Sequence, residues 1–163
     1  MNDIPSPHSP SPDFGSESQN PIHATSIALN GQVVLLMGPS GCGKSDLALR
    51  LIDRGATLVS DDYTSLEVRE GRLFASPAPN IAGKMEVRHI GVLSMPHLHN
   101  LPVALAIRLD DKPYRMPDRS LRIALLGIDV PVLCLSGLEA SAPIKVELAL
   151  KTLLAPWPLD GIN

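Results

Sequence analysis

Gly38-Pro39-Ser40-Gly41-Cys42-Gly43-Lys44-Ser45 matches the Walker A pattern, two glycines with four residues between them followed by Lys and Ser. Polyphosphate binding requires this order of residue types. Glycines let consecutive backbone N–H groups turn inward around phosphate oxygens, and the N-terminus of the following helix adds its positive dipole. Lys44 reaches the β- and γ-phosphates, and the Ser45 hydroxyl ligates Mg²⁺. An ATP-like nucleotide with its Mg²⁺ is the expected ligand, and phosphoryl transfer the expected chemistry. Cys42 reads as a small outward-facing side chain within the loop.

Asp61-Asp62 closes the apolar run Ala56-Thr57-Leu58-Val59-Ser60. In open α/β sheets ligands collect at the C-terminal ends of the strands, so both carboxylates are expected to face the phosphate region. A lone acid there holds Mg²⁺ indirectly or simply begins a turn. A tandem permits one acid to orient the metal shell while the other takes a proton from an attacking hydroxyl. His23 is either a strand-end residue with a solvated ring or, beside a triphosphate, a group that stabilises charge or relays a proton. Glu86, by spacing alone, is an exposed strand residue. His97-x-His99 lacks the cysteine or carboxylate cluster that would complete a metal site. The basic loop from Lys112 to Arg122, with Arg115, Arg119 and Arg122, is solvated charge or the source of one arginine for a transferring phosphate.

These groups need a scaffold, and the chain supplies one from His23 onward. Ala24 to Leu29 and Gln32 to Met37 flank Asn30-Gly31, the strongest short hairpin signal. A two-residue turn fixes the register, Leu29 with Gln32 and Ile27 with Val34, and its continuation sets His23 beside Gly38. Asp46 to Arg54 has helical apolar spacing and stops at Gly55; Ala56 to Ser60 is a buried strand. Strand, loop, helix and strand make a βαβ unit whose strands run parallel. Leu66 to Val68 and Arg72 to Phe74 form a second hairpin about Gly71. Met85 to Arg88, Val103 to Leu109, Leu121 to Leu126 and Pro131 to Leu135 are further strands. Ser141-Ala142-Pro143 opens a helix over Ile144 to Leu154. The fold class is α/β with a mixed, strand-rich sheet.

At 163 residues there is room for one domain. Residues 1–21 hold five of the sixteen prolines and five serines with few apolar side chains, and are expected to be a disordered tail before a domain at 22–155 and a short tail at 156–163. The start lacks the pattern of a signal peptide, and no apolar run is long enough to span a bilayer. Two cysteines, Cys42 and Cys134, make no disulfide framework, which fits a reducing cytoplasm. A net charge of -3 argues against nucleic acid as a partner.

In this order, His23-Ala24-Thr25, the loop Gly38 to Ser45, Val59-Ser60-Asp61-Asp62 and Glu86-Val87-Arg88-His89-Ile90-Gly91-Val92 resemble the catalytic domain of the bacterial HPr kinase/phosphorylase family. The resemblance runs from His23 to about Pro96 and continues more weakly to Leu154. It implies a P-loop kinase domain that phosphorylates a serine of the phosphocarrier HPr in the phosphotransferase system, using ATP and Mg²⁺. By motif, Asp62 becomes the base that accepts the seryl proton and the acid of the reverse reaction, with Asp61 beside it. Lys44 and His23 become active-site residues, Ser45 and Glu86 Mg²⁺ ligands, and Arg115 stands in for the family's catalytic arginine. Met85 to Ser94 matches the stretch the family uses in both directions of catalysis. Family members form hexamers, so a homo-oligomer is implied.

The chain departs from the family in two places. With a tail alone expected before His23, the resemblance implies a short form like those of proteobacteria, without the N-terminal domain. Pro131-Val132 continues as Leu133-Cys134-Leu135-Ser136, where the family has a basic Pro-Gly-Arg-Asn turn linked to phosphorolysis, so the kinase half is the expected activity. Two other readings share the loop: a P-loop kinase of a small metabolite, and a non-catalytic module binding nucleotide and a partner such as a sensor kinase.

Overall fold

The computed structural model describes residues 16–17 and 19–154. In chain order the elements are β1 (Ser16–Glu17), β2 (Ile22–His23), β3 (Thr25–Leu29), β4 (Gln32–Met37), α1 (Lys44–Asp53), β5 (Thr57–Ser60), β6 (Tyr63–Arg69), β7 (Arg72–Pro77), β8 (Lys84–Val87), β9 (Gly91–Ser94), β10 (Leu101–Leu109), β11 (Arg122–Leu125), β12 (Ile128–Leu135) and α2 (Ala142–Leu154). The main sheet runs β1-β11-β12-β10-β4-β3-β5. A limb of β7, β6 and β2 branches from β10, where Leu101 and Pro102 pair with Ala75 and Phe74. β8 and β9 form a separate hairpin. Parallel pairs (β12–β10–β4) and antiparallel ones (β4–β3–β5) share one sheet, the mixed α/β class that the sequence predicts.

β4 reads as an unbroken apolar run because both of its faces are covered. Val34 and Leu36 join Leu47, Ala48 and Leu51 of α1 and Val146 and Leu150 of α2 in one buried cluster. Val33 and Leu35 alternate into a second cluster with Ile22, Leu66, Leu73 and Leu125. Each of these large side chains contributes roughly 1.5–3 kcal/mol on burial, so β4, which carries the glycine-rich loop at its end, is held from both sides.

Asn30 and Gly31 take φ of 51° and 77°, the turn that a two-residue hairpin demands. It sets Leu29 opposite Gln32, Ile27 opposite Val34 and Thr25 opposite Leu36, as expected. The expected extension to His23 opposite Gly38 does not occur. The chain turns at His23, where the Ala24 N–H donates to the Ile22 carbonyl at 3.0 Å. β2 then leaves to pair with β6, His23 facing Tyr63. Burial of Ile22, only 1% exposed, in the second cluster favours this departure. The βαβ expectation also needs adjustment: β4 and β5 share a direction but are not neighbours, because β3 lies antiparallel between them. The two-residue turn already delivers β3 to that edge of β4.

α1 begins at Lys44, earlier than the apolar periodicity shows, and ends in paired bonds from Gly55 N to Ile52 O and Ala56 N to Leu51 O, each 3.0 Å. Residues 16–17 and 20, placed in the tail by composition, belong to the fold. Ser16 and Glu17 pair with Ala124 and Leu125, and the Asn20 side chain accepts from Leu66 N at 2.9 Å and donates to Leu66 O at 2.6 Å. An amide side chain offers the donor and acceptor that an unpaired strand residue needs. The rest of the expected tail up to residue 15, and that of 156–163, lie outside the described residues. Among the described residues no helix is long and apolar enough to cross a membrane, and Cys42 and Cys134 are both free thiols.

A charge pair ties the helices together. Arg54 Nε and Nη2 donate to the Glu147 carboxylate at 2.8 and 3.0 Å. The Arg54 hydrogen bond holds the Glu147 carboxyl below its ordinary 4.5. A depressed folded-state value adds stability that is complete above the unfolded value and lost as pH falls through the folded one. The stability gap between wild type and Glu147→Gln is therefore expected to be constant near neutrality and to close on acidification below pH 4.5, as urea midpoints across that range will show.

Candidate active site

The loop between β4 and α1 has the backbone that phosphate binding needs. Gly38, Gly41 and Gly43 sit at φ of 150°, 84° and 96°. At Gly38 a Cβ would lie 2.7 Å from Cys42 Sγ, so a side chain would have to displace Cys42 as well as strain the backbone. Gly43 is the N-cap of α1 and supplies no side-chain hydrogen bond to it. The first N–H groups of α1 have no acceptor within the helix, which is the arrangement that receives an anion. Lys44, 6% exposed, folds back so that Nζ donates to the carbonyls of Gly38 at 2.8 Å and Pro39 at 3.1 Å. Its ammonium spans the mouth of the loop.

The tandem acids are divided by the fold. Asp61, buried at 7% exposure, accepts from Ser45 Oγ at 2.7 Å and Thr25 Oγ1 at 3.4 Å on one oxygen, and from Glu86 N at 3.0 Å on the other. Asp62 is open, its side chain 60% exposed, and accepts from His23 Nε2 at 3.0 Å. Both acids lie near the loop, but only Asp61 touches it. The sequence placed His23 beside Gly38; the structure gives it to Asp62 instead, with the Tyr63 ring 5.2 Å from its own.

Local backbone geometry creates this pair. The Tyr63 N–H donates to the Asp61 carbonyl at 2.7 Å across Asp62, whose φ is 66°. That is the strained, positive-φ form of a three-residue turn, and a left-handed non-glycine residue costs about 1–2 kcal/mol. A second three-residue turn, without the positive φ, centres on His23. Each turn swings its central side chain out of the strand alternation, and the two meet at the junction of β2 and β6.

The donor set fits Mg²⁺, which takes one or two protein oxygens and completes its shell with water and substrate phosphates. Ser45 Oγ and the Asp61 carboxylate are hard oxygen donors in direct contact, and the backbone of Glu86 is fastened to the same carboxylate. Glu86 itself is exposed at the start of the β8–β9 hairpin, of which sequence reading gave only the first strand. Among the described residues no group of three or more His, Cys, Asp or Glu side chains is gathered to hold a metal by itself.

Arg115 lies apart from this cluster. It lines a concavity of about 670 Å³ with Tyr114, Arg122, Leu133, Lys145 and Leu148, between the 110–121 loop, β12 and α2. One wall of the loop was not legible in sequence. Arg50 of α1 holds the carbonyls of Gly137 and, at 3.0 Å, Glu139, and Leu138 packs 3.2 Å from where a Gly43 Cβ would stand. Thr25 and Tyr63 were missed as well. The available signal for Thr25 was a pair of hydroxyl residues, Thr25 and Ser26, opening a strand that is apolar from Ile27 onward, both fully buried in the structure.

A family model described as the HPr Serine kinase C-terminal domain matches residues 16–106. The HPr kinase/phosphorylase of Clostridium tetani is 38% identical over 87 residues, 53% of this chain and 28% of that protein. That of Caldicellulosiruptor bescii is 34% identical over 124 residues, 68% of this chain and 40% of that protein. A solved structure of the Hpr(Ser) kinase/phosphatase from Coxiella burnetii matches with a TM-score of 0.65 and 27% identity, covering 80% of this chain and 93% of that one. The chain thus spans well under half the length of these two curated relatives. Because the matched stretch contains His23, the phosphate loop, both acids and Glu86, the chain belongs to the family of HPr serine kinase C-terminal domains.

Proposed function

We propose that this domain is an ATP-dependent protein serine kinase acting on an HPr-type phosphocarrier, in the regulation of a phosphotransferase system. The observation that carries the reading is the division of the acids: Asp61 fixed to Ser45 at 2.7 Å, and Asp62 free of the loop, open, and bonded to His23 at 3.0 Å. A buried acid on the loop serine suits the shell of Mg²⁺, while an exposed carboxylate can be reached by a serine on the surface of another protein. A small-metabolite kinase would have less need of such openness.

Asp62 takes the proton of the acceptor serine as its Oγ attacks the γ-phosphorus, and the bond to the bridging oxygen breaks to release ADP. His23 holds the Asp62 carboxylate in place and donates to it. Lys44 neutralises charge on the transferring group, and the N–H groups at the start of α1 receive phosphate oxygens. Ser45, Asp61 and Glu86 would hold Mg²⁺, which would neutralise phosphate charge when bound. Arg115 stays as the proposed arginine on the basic character of its loop alone, since no family motif extends to it; the 110–121 loop would have to carry it inward. The forward reaction alone is proposed, since Leu133 to Ser136 lacks the basic turn associated with phosphorolysis. A homo-oligomer in the cytoplasm is the proposed setting.

Purified protein, radiolabelled ATP and HPr form the test. Label on an HPr serine is the expected result. Intact Mg-ATP binding with no label on HPr, but label on a small acceptor, would transfer the assignment to a metabolite kinase; binding with no transfer to any acceptor would leave a nucleotide-binding module.

A further inference from the structure

Thr25 is a buried hydroxyl that joins the two acids. Its Oγ1 donates to the Asp61 carboxylate at 3.4 Å and accepts the backbone N–H of Asp62 at 3.1 Å. The residue is completely buried, so no water replaces either contact. The Asp62 amide matters because it belongs to the strained turn, at φ 66°, that aims the Asp62 carboxylate away from the loop and toward His23. Left-handed geometry at a non-glycine residue persists only where the surroundings impose it. One side of that turn is fixed by the Tyr63 N–H on the Asp61 carbonyl; Thr25 fixes the other. The neighbouring hydroxyls serve the junction itself, Ser26 Oγ and Thr64 Oγ1 lying 2.8 Å apart and Thr64 donating to the Ala24 carbonyl at 2.8 Å.

We infer that Thr25 is a positioning residue: its hydroxyl sets the peptide between Asp61 and Asp62 so that the metal-side acid and the proton-accepting acid are held in fixed relation. The inference rests on the kinase reading for its catalytic consequence, but not for its structural one. Among the described residues the Thr25 hydroxyl bonds to Asp61 and Asp62 and makes no hydrogen bond to the phosphate loop itself. Loss of its hydroxyl should therefore act on turnover and leave nucleotide affinity alone.

The test compares the full chain as wild type, Thr25→Val and Thr25→Ser in two measurements. One is kcat and KM for transfer from Mg-ATP to HPr; the other is hydrogen exchange at the Asp62 amide without acceptor. Thr25→Val keeps shape and removes the hydroxyl. It should lower kcat roughly 100-fold, the size of effect that a small misplacement of a reacting group produces, with KM for ATP unchanged. Exchange at Asp62 should quicken by roughly fivefold or more, and Thr25→Ser should restore both. Wild-type turnover in Thr25→Val, or a loss that serine does not recover, overturns the inference. If the wild type transfers nothing to HPr, it is the kinase reading that has failed, and exchange decides Thr25 alone: faster exchange only in the valine variant upholds the positioning role, and equal exchange in all forms removes it. Should Thr25→Val not fold, Thr25→Ala is judged against the same outcomes.

Discussion

Replacing Lys44 by methionine should abolish most phosphoryl transfer, by at least roughly 10²–10³-fold, the range found when one preorganised charge-stabilising donor is removed. Methionine retains an unbranched stem for the buried site, so the fold should persist. What disappears is the ammonium that Gly38 and Pro39 hold across the mouth of the loop at 2.8 and 3.1 Å. In the proposed complex that charge meets the β- and γ-phosphates in the ground state and interacts more strongly as charge builds in the transition state, so affinity for Mg-ATP should fall together with kcat. Arginine should rescue poorly: its planar fork needs room that the loop, with Lys44 only 6% exposed, does not offer. Calorimetry with Mg-ATP and the HPr labelling assay measure the two losses separately. Turnover near wild type would mean that Lys44 serves the loop's own carbonyls and not the nucleotide.

Asp62→Asn should separate chemistry from binding. Loss of a general base costs roughly 10²–10⁴-fold in rate, and here nothing else should change. Asparagine tolerates the left-handed backbone that Asp62 adopts at φ 66°. Its side-chain oxygen can still accept from His23 Nε2, as the carboxylate does at 3.0 Å. Mg-ATP affinity should match wild type, since Asp62 does not contact Ser45 or Lys44. Asp61→Asn makes the opposite case: it weakens the acceptor of Ser45 Oγ and of Glu86 N, so Mg²⁺-dependent affinity should drop as well. If Asp62→Asn transfers normally and Asp61→Asn alone is dead, the base is the buried acid and the roles proposed for the pair are reversed.

The division between those two acids shows where local sequence stops being informative. Adjacent residues at a strand end carry no label saying which will be buried. Asp61 is buried because β8 brings the Glu86 N–H to it and α1 brings Ser45, contacts made across 25 and 16 residues of chain. Asp62 is exposed because a three-residue turn reverses its direction, and that turn depends on a hydroxyl 37 residues earlier. His23 illustrates the same limit from the other side. Counting register outward from Asn30-Gly31 is sound as far as Thr25, beyond which the burial of Ile22 against β6 outweighs continued pairing with β4.

Sequence by itself determined the features that depend on neighbours along the chain: the glycine-rich loop and its lysine and serine, the helix that follows, the tight Asn-Gly turn with its register through Thr25, and the apolar run that lets β4 be covered on both faces. These follow from steric freedom at glycine, hydrogen-bond geometry and periodicity, all of which act over a few residues. Tertiary structure alone decided the insertion of β3 between β4 and β5, the meeting of His23 with Asp62, the packing of Gly137 and Leu138 against the phosphate loop, and the part taken by Thr25. Each is a contact between distant segments, selected by which apolar surfaces are buried together, and burial favours area without regard to order along the chain.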